Sequence, residues 1–293
     1  DALIYVHQYT QAMHIRRRGG PVHRDPRRDA ARTGTSFRMG EQRVSIPSIP
    51  GRRQNTGAPI PRVLVQTWHA ESPRQLSPRI VRLLPRFATG FQYKYFSDSK
   101  CIEFLAEHYG DDYKNKFIEM RLGAHKADLF RYCYLYLHGG VYMDVDMEPR
   151  AYMADVMKGI PPGTLVTSIE ASKQGIFQSF IAAPPKHPVF KVLIGEFFSN
   201  RIVNGLPPYY TYFTRHMGLV LKRWKGSTLR PGLQELRDGS RLFLFSERPI
   251  SPDGVVSNQC MYVTRGPLVV FKSHSDDYVG QSSDRSTKSF FRN

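Results

Sequence analysis

Cysteine is scarce, with 3 in 293 residues. Cys101, Cys133 and Cys260 cannot all pair among themselves and lack zinc-ligand spacing, so neither a disulfide framework nor a zinc module organises the chain. No apolar run is long enough to span a bilayer or to serve as a signal peptide. There is no Asn-x-Ser/Thr sequon, which leans toward a cytosolic, bacterial, viral or effector setting. Acids are also short: 25 Asp and Glu stand against 42 Lys and Arg, a net charge of +17. Lysine is missing from the first 60 residues, which hold 11 Arg against 4 acids, a net +7. With Arg16-Arg17-Arg18 and scattered Gly and Pro, residues 1–60 read as a basic arm without a core of its own. The remaining +10 attracts anions, whether a nucleotide diphosphate, an anionic lipid or a nucleic acid.

What the chain does have is one dense run from Asp128 to Asp146. Ala127, Phe130, Tyr134 and Leu137 recur at spacings of three and four, the core stripe of a helix. Asp128 and Arg131 are neighbours on another face, where they either hold one polar ligand between them or pair with each other. Gly139 and Gly140 end the helix, because glycine takes the left-handed cap without steric penalty. The spacing then predicts a strand over 141–147 that turns Asp144 and Asp146 to one face and Val141, Met143 and Val145 to the core. Two carboxylates so close repel unless a cation neutralises them, which points to Mn²⁺ or Mg²⁺ completed by the phosphates of a ligand. With 15 Asp in the chain, chance alone supplies roughly one Asp-x-Asp. The helix, Gly-Gly and apolar strand around this one give it its weight.

This run resembles the DXD-containing sugar-transferase family that includes initiating α-1,6-mannosyltransferases, inositol-phosphoceramide mannosyltransferases and lactosylceramide α-1,4-galactosyltransferases. It is also similar to the catalytic core of bacterial glucosylating toxins. Upstream, Ile60-Pro61-Arg62-Val63-Leu64-Val65-Gln66-Thr67-Trp68 is similar to that family's first strand. The resemblance covers residues 60 to about 150, with weaker echoes to about 275. It implies an α/β, GT-A-type, Rossmann-like nucleotide-sugar-binding fold with a mixed central sheet flanked by helices. The implied activity is a metal-dependent hexosyl transfer with retention, from a UDP-sugar or GDP-mannose to a glycan, lipid or protein hydroxyl.

Residue by residue, the resemblance assigns Asp144 and Asp146 to the metal and the donor, with Asp146 the more direct ligand. It gives the donor sugar's hydroxyls to Asp128 and Arg131. Trp68 and Gln66 fall on the donor side, the Trp68 ring on the base or else in the core, and Tyr142 falls near the base or ribose. His274 follows the last strand, where the family often has a histidine that closes over the metal; it is either a third ligand or a surface histidine, and the family's following tryptophan is missing here. Gln178 stands near a position where the family has asparagine. Glu170 is either an acceptor-side carboxylate or a surface glutamate at a strand end. Tyr209, Tyr210, Tyr212 and Phe213 form either an acceptor-sugar platform or part of the core.

Further strands are predicted over 163–170, 175–183, 241–246 and 267–272, and helices over 187–203 and 209–225. Residues 61–275 are long enough to bury one catalytic core, followed by a polar tail over 276–293. The basic arm suits an anionic membrane surface or acceptor, and the Golgi lumen is the expected setting if an N-terminal anchor has been removed. A nucleic-acid-binding protein or metal nuclease fits the charge and the paired acids. It calls for aromatics interleaved with basic residues along one groove, and the arm has few, so nucleic acid is disfavoured. A catalytically silent sugar-binding relative has no need of the intact Asp and Arg constellation.

Overall fold

The computed structural model describes residues 57–76, 78–249 and 260–274. The expected basic arm and polar tail lie outside the described residues, apart from Gly57–Ile60 at the arm's end. Strand β1 (Val63–Thr67) runs between β2 (Gln92–Phe96) and β3 (Gly140–Met143), parallel to both. The sheet continues through β6 (Ile176–Ala183), antiparallel to β3 and to its other neighbour β5 (Thr164–Ile169). Then come β8 (Arg241–Arg248), parallel to β5, and β9 (Cys260–Arg265), β10 (Leu268–His274) and β4 (Met147–Pro149). A short β7 (Gly232–Glu235) pairs with β8 off this path.

Strand β4 follows β3 after only three residues, yet it closes the opposite end of the strand order. In a flat sheet the six intervening spacings would put the two roughly 29 Å apart. The four Cα steps from Met143 to Met147 reach about 15 Å at most. The sheet must therefore curl, and the Asp144–Asp146 segment bridges the curl.

Helices cover both faces, which is why the inner strands read as continuous apolar runs rather than alternating ones. On one face Leu64, Val141, Met143, Phe180 and Phe271 pack with Leu84 and Phe87 of α1 (Pro78–Phe87) and with Met153 and Val156 of α5 (Met153–Met157). On the other, Val65, Tyr142, Ile181 and Leu242 meet α2 (Asp98–Tyr109), α4 (Gly123–His138), α6 (Pro188–Glu196) and α7 (Tyr212–Lys225), with α3 (Asp111–Glu119) beside α2. Helix α4 is buried almost all round from Asp128 to Leu135, so its core face is far wider than the stripe read from the sequence, and Ala127 and Leu137 are only half-buried. The helix expected over 187–203 stops at Glu196, whose carboxylate instead accepts from Ser199, Arg201 and Tyr212 and fixes the loop that follows. The helix expected from Tyr209 begins at Tyr212. Among the described residues no helix is long and apolar enough to cross a membrane.

Gly139 caps α4 at φ 67°, ψ −163°, a backbone region that is essentially glycine-only. A Cβ there would lie 2.6 Å from the Pro185 nitrogen and 2.8 Å from the Ala183 carbonyl oxygen. Gly139→Ala is expected to lower unfolding stability by roughly 2–4 kcal/mol in urea titrations, from strain and clash together.

Glu170 is neither a surface residue nor a free strand end. The β5–β8 register sets it beside Glu247, one position beyond the Ile169–Ser246 pair, and both are buried. Glu247 accepts from the Ala171 N–H at 2.9 Å and Glu170 from the Ser172 hydroxyl at 2.8 Å. Burial pushes the Glu247 carboxyl up to about 8, with the Ala171 N–H opposing and Glu170 adding. The folded state then keeps a proton that the unfolded chain gives up near its ordinary value of 4.5. Stability should therefore fall as pH rises between those values, by up to roughly 1.4 kcal/mol per pH unit, and Glu247→Gln should flatten that slope. Urea midpoints from pH 5 to 9 measure both.

Candidate active site

The parallel strands β1 and β3 end at the same edge of the sheet, and their connections run over opposite faces, α1 on one and α2 to α4 on the other. Such a switch point opens a crevice beyond the strands' carboxyl ends. Asp144 stands there, immediately after β3. The continuous strand expected over 141–147 is broken: Asp144-Val145-Asp146 form a turn, with the Met147 N–H donating to the Asp144 carbonyl at 3.3 Å. The curl explains the break, because the chain must leave β3 and enter β4 on the far side of the sheet's path. Val141, Met143 and Val145 are buried as expected, and Asp144 and Asp146 are half-buried.

Arg131 organises the acids. From α4 its Nη2 reaches Asp144 Oδ1 at 3.1 Å and its Nε lies 3.6 Å from Asp128 Oδ1. Nη1 donates to the Gln178 carbonyl at 2.6 Å and Nε to the Ala127 carbonyl at 3.1 Å, while the guanidinium lies over the Tyr142 ring at 4.3 Å. Arg131 and Asp128 are 4% and 7% exposed, a buried floor rather than a solvated helix pair. Burial pushes Asp128 up to about 7, against the pull of Arg131 and with Asp144 adding repulsion.

Tyr142, expected near the base or ribose, is buried beneath this cluster. Its hydroxyl donates to Asp144 Oδ1 at 2.8 Å and meets the Thr67 hydroxyl at 2.9 Å, so it fixes the carboxylate from below. Gln66 is likewise fully buried: its Nε2 donates to the Asp144 carbonyl at 3.2 Å and its Oε1 accepts from Tyr93 at 3.1 Å. Gln178 supports Arg131 through its carbonyl, and its side-chain oxygen accepts from Tyr132 at 2.6 Å. Trp68 is half-buried just past β1, its N–H bonded to the Phe96 carbonyl and its ring centroid 4.6 Å from that of His69.

His274 ends β10, and its side chain lies outside what is described. The β10–β4 register pairs Ser273 with Met147, so one further step brings the His274 backbone opposite Asp146. Among the described residues no group of three or more His, Cys, Asp and Glu is placed to hold a metal ion. The sequence reading did not place Thr67 and Tyr93 at the site, and it left Tyr210 between an acceptor-sugar platform and the core. Hydroxyls on neighbouring strands carry no periodicity that marks them.

Removing the guanidinium leaves two acids without their shared partner. Arg131→Met is expected to cost roughly 3–5 kcal/mol of stability, and adding Asp128→Asn should recover part of it, as read by chemical denaturation.

Residues 67–163 match the family described as the glycosyltransferase sugar-binding region containing the DXD motif. The chain is 27% identical over 146 residues to an uncharacterized glycosyltransferase of Acanthamoeba polyphaga mimivirus, covering 47% of this chain and 56% of that protein. It is 29% identical over 180 residues to inositol phosphoceramide mannosyltransferase 1 of Schizosaccharomyces pombe, covering 59% of this chain and 50% of the relative. The chain thus spans about half the length of the curated relatives it matches. Among solved structures, the PaToxG glycosyltransferase aligns with a TM-score of 0.35 at 12% identity, over 57% of this chain and 69% of that one. The segment that builds the Asp128–Arg131–Asp144 floor lies within the matched residues, and over that segment the chain is similar to the DXD-containing sugar transferases.

Proposed function

We propose that the chain transfers a hexose, with retention, from a UDP-sugar or GDP-mannose to a hydroxyl of a glycan, lipid or protein, in a GT-A-type arrangement. The observation that carries this reading is the buried Asp128–Arg131 pair locked to Asp144 at the carboxyl edge of β1 and β3. Small polar groups such as sugar hydroxyls suit that floor, since Arg131 donates directionally and Asp128 accepts or donates according to its protonation. The Schizosaccharomyces pombe relative, an inositol phosphoceramide mannosyltransferase, supports keeping a mannosyl donor and a lipid acceptor among the substrates.

The donor set fits a hard divalent cation shared with a diphosphate rather than one caged by protein alone. Two Asp carboxylates, Asp128 and Asp144, share one guanidinium here, and Asp144 and Asp146 on the turn supply only oxygen ligands. Mn²⁺ or Mg²⁺ held by Asp144 and Asp146 would neutralise the charge that builds on the departing nucleoside diphosphate. Asp128 and Arg131 orient the hexose so that the acceptor hydroxyl attacks the face the diphosphate leaves. A phosphate oxygen then takes the proton, so no protein nucleophile is needed. Trp68 offers an aromatic face to the base. The basic arm over residues 1–60, ahead of a catalytic unit over 61–275, suits an anionic membrane surface or acceptor.

Thermal-shift and hydrolysis screens of UDP-, GDP- and CMP-sugars with Mn²⁺ test the reading. One donor should raise the melting temperature only with the metal, and Asp144→Asn or Asp146→Asn should lower kcat/KM at least ~100-fold. Wild-type protein indifferent to every donor would overturn it.

A further inference from the structure

The loop from Phe197 to Thr211 and the first turn of α7 sort their tyrosines and Phe213 by neighbour. Tyr212 and Phe213 join the core, the Tyr212 hydroxyl donating to Glu196. Tyr209 is exposed, with the Arg215 guanidinium 5.4 Å above its ring. Tyr210 turns the other way. Its carbonyl oxygen is 3.0 Å from Nε2 of His125, and the two rings are 5.8 Å apart. His125 and Asp128 are one turn apart on α4 and so share a face, which sets Tyr210 over the helix surface that carries Asp128. Burial and then the carboxylates of Asp128, Asp144 and Asp146 raise the Tyr210 hydroxyl above its ordinary value, so one phenol feels all three acids and stays a donor at neutral pH.

The loop is built to hold that pose. Asn204 and Gly205, at φ 50° and 73°, make a tight turn closed by paired Val203 and Leu206 hydrogen bonds of 3.1 and 2.9 Å. Gly205 packs against the Glu119 carbonyl, where a Cβ has no room. Pro207 and Pro208 stiffen the approach to Tyr210.

We propose that Tyr210 is a specificity-determining residue of the donor site, its ring covering the apolar face of the transferred hexose and its hydroxyl donating to a sugar hydroxyl on the Asp128 side. The inference rests on the donor reading above. A pyranose held between an aromatic ring and a carboxyl–guanidinium pair is contacted on both faces, and the nucleoside and diphosphate contribute nothing to that contact.

Calorimetric titration of UDP, GDP, UDP-glucose and GDP-mannose with Mn²⁺ tests it, comparing wild type with Tyr210→Phe and Tyr210→Ala. Affinity for the bare diphosphate should stay within ~2-fold in both variants, while affinity for the nucleotide sugar falls ~5–10-fold in Tyr210→Phe and more in Tyr210→Ala. Unchanged nucleotide-sugar affinity in Tyr210→Ala overturns the inference alone. So does an equal loss for diphosphate and nucleotide sugar, which marks a structural role. A wild type that binds the diphosphate but gains nothing from either hexose overturns the hexose contact. Wild-type protein that binds none of the four removes the donor reading and the inference together.

Discussion

A guanidinium buried on α4 and shared by two carboxylates holds the site together. Arg131 touches Asp128, Asp144, the Gln178 carbonyl and the Tyr142 ring, so one side chain ties α4 to β3 and β6. Burying a charge is costly unless it is paired and fully hydrogen-bonded, and at Arg131 the pairing is nearly complete. The acids gain less: Asp128 is driven up to about 7 even with Arg131 beside it. The imbalance is informative, because a purely structural ion pair would settle at one acid per base. A surplus of carboxylate at the mouth of a switch-point crevice is a standing attraction for a cation.

The turn that carries Asp144 and Asp146 has a topological task as well as a chemical one. It links β3 to the strand at the far end of the sheet path, which forces the sheet to curl. A loop under that constraint has few conformations open to it, and three hydrogen bonds reduce them further: Gln66 to the Asp144 carbonyl, Tyr142 to its carboxylate, and the Asp144 N–H to the Ser179 carbonyl at 2.9 Å. The Asp144 carboxylate is therefore positioned before any ligand arrives, which is the condition under which electrostatic stabilisation is effective. The same curl brings the end of β10 beside the turn that follows β3.

Much of this was legible in the sequence, for identifiable reasons. Gly139-Gly140 after an aromatic-rich helix marks a cap followed by a strand, and the cap is there, with backbone angles only glycine adopts. The helix spacing of Asp128 and Arg131 is local, so their adjacency could be read directly. The period-2 reading of 141–147 went too far, because alternation says nothing of where a strand must break to reach a distant partner. The wide burial of α4 was hidden for a related reason: Tyr132 lies off the three-and-four stripe, and only the packing of Phe190 and Phe197 against its ring shows that it is inside. The burial of Glu170 could not be read locally, because the residue beside it, Glu247, lies 77 positions on in the chain.

Tyr142 and Tyr210 show how alike residues are divided between holding and contacting. Tyr142 is locked under Asp144, its hydroxyl spent on Asp144 and Thr67, so its contribution is geometry. Tyr210 arrives from a separate loop and is partly exposed. A residue that meets the acids through space, is carried on a loop stiffened by two prolines, and keeps part of its ring accessible is placed to vary with the substrate while the floor stays fixed. Floor residues come from helix and strand, where a change costs core packing. Roof residues come from loops, where it does not. Related chains that differ in the sugar they accept should therefore differ first in the loop from Phe197 to Thr211, and last at Asp128, Arg131 and Asp144.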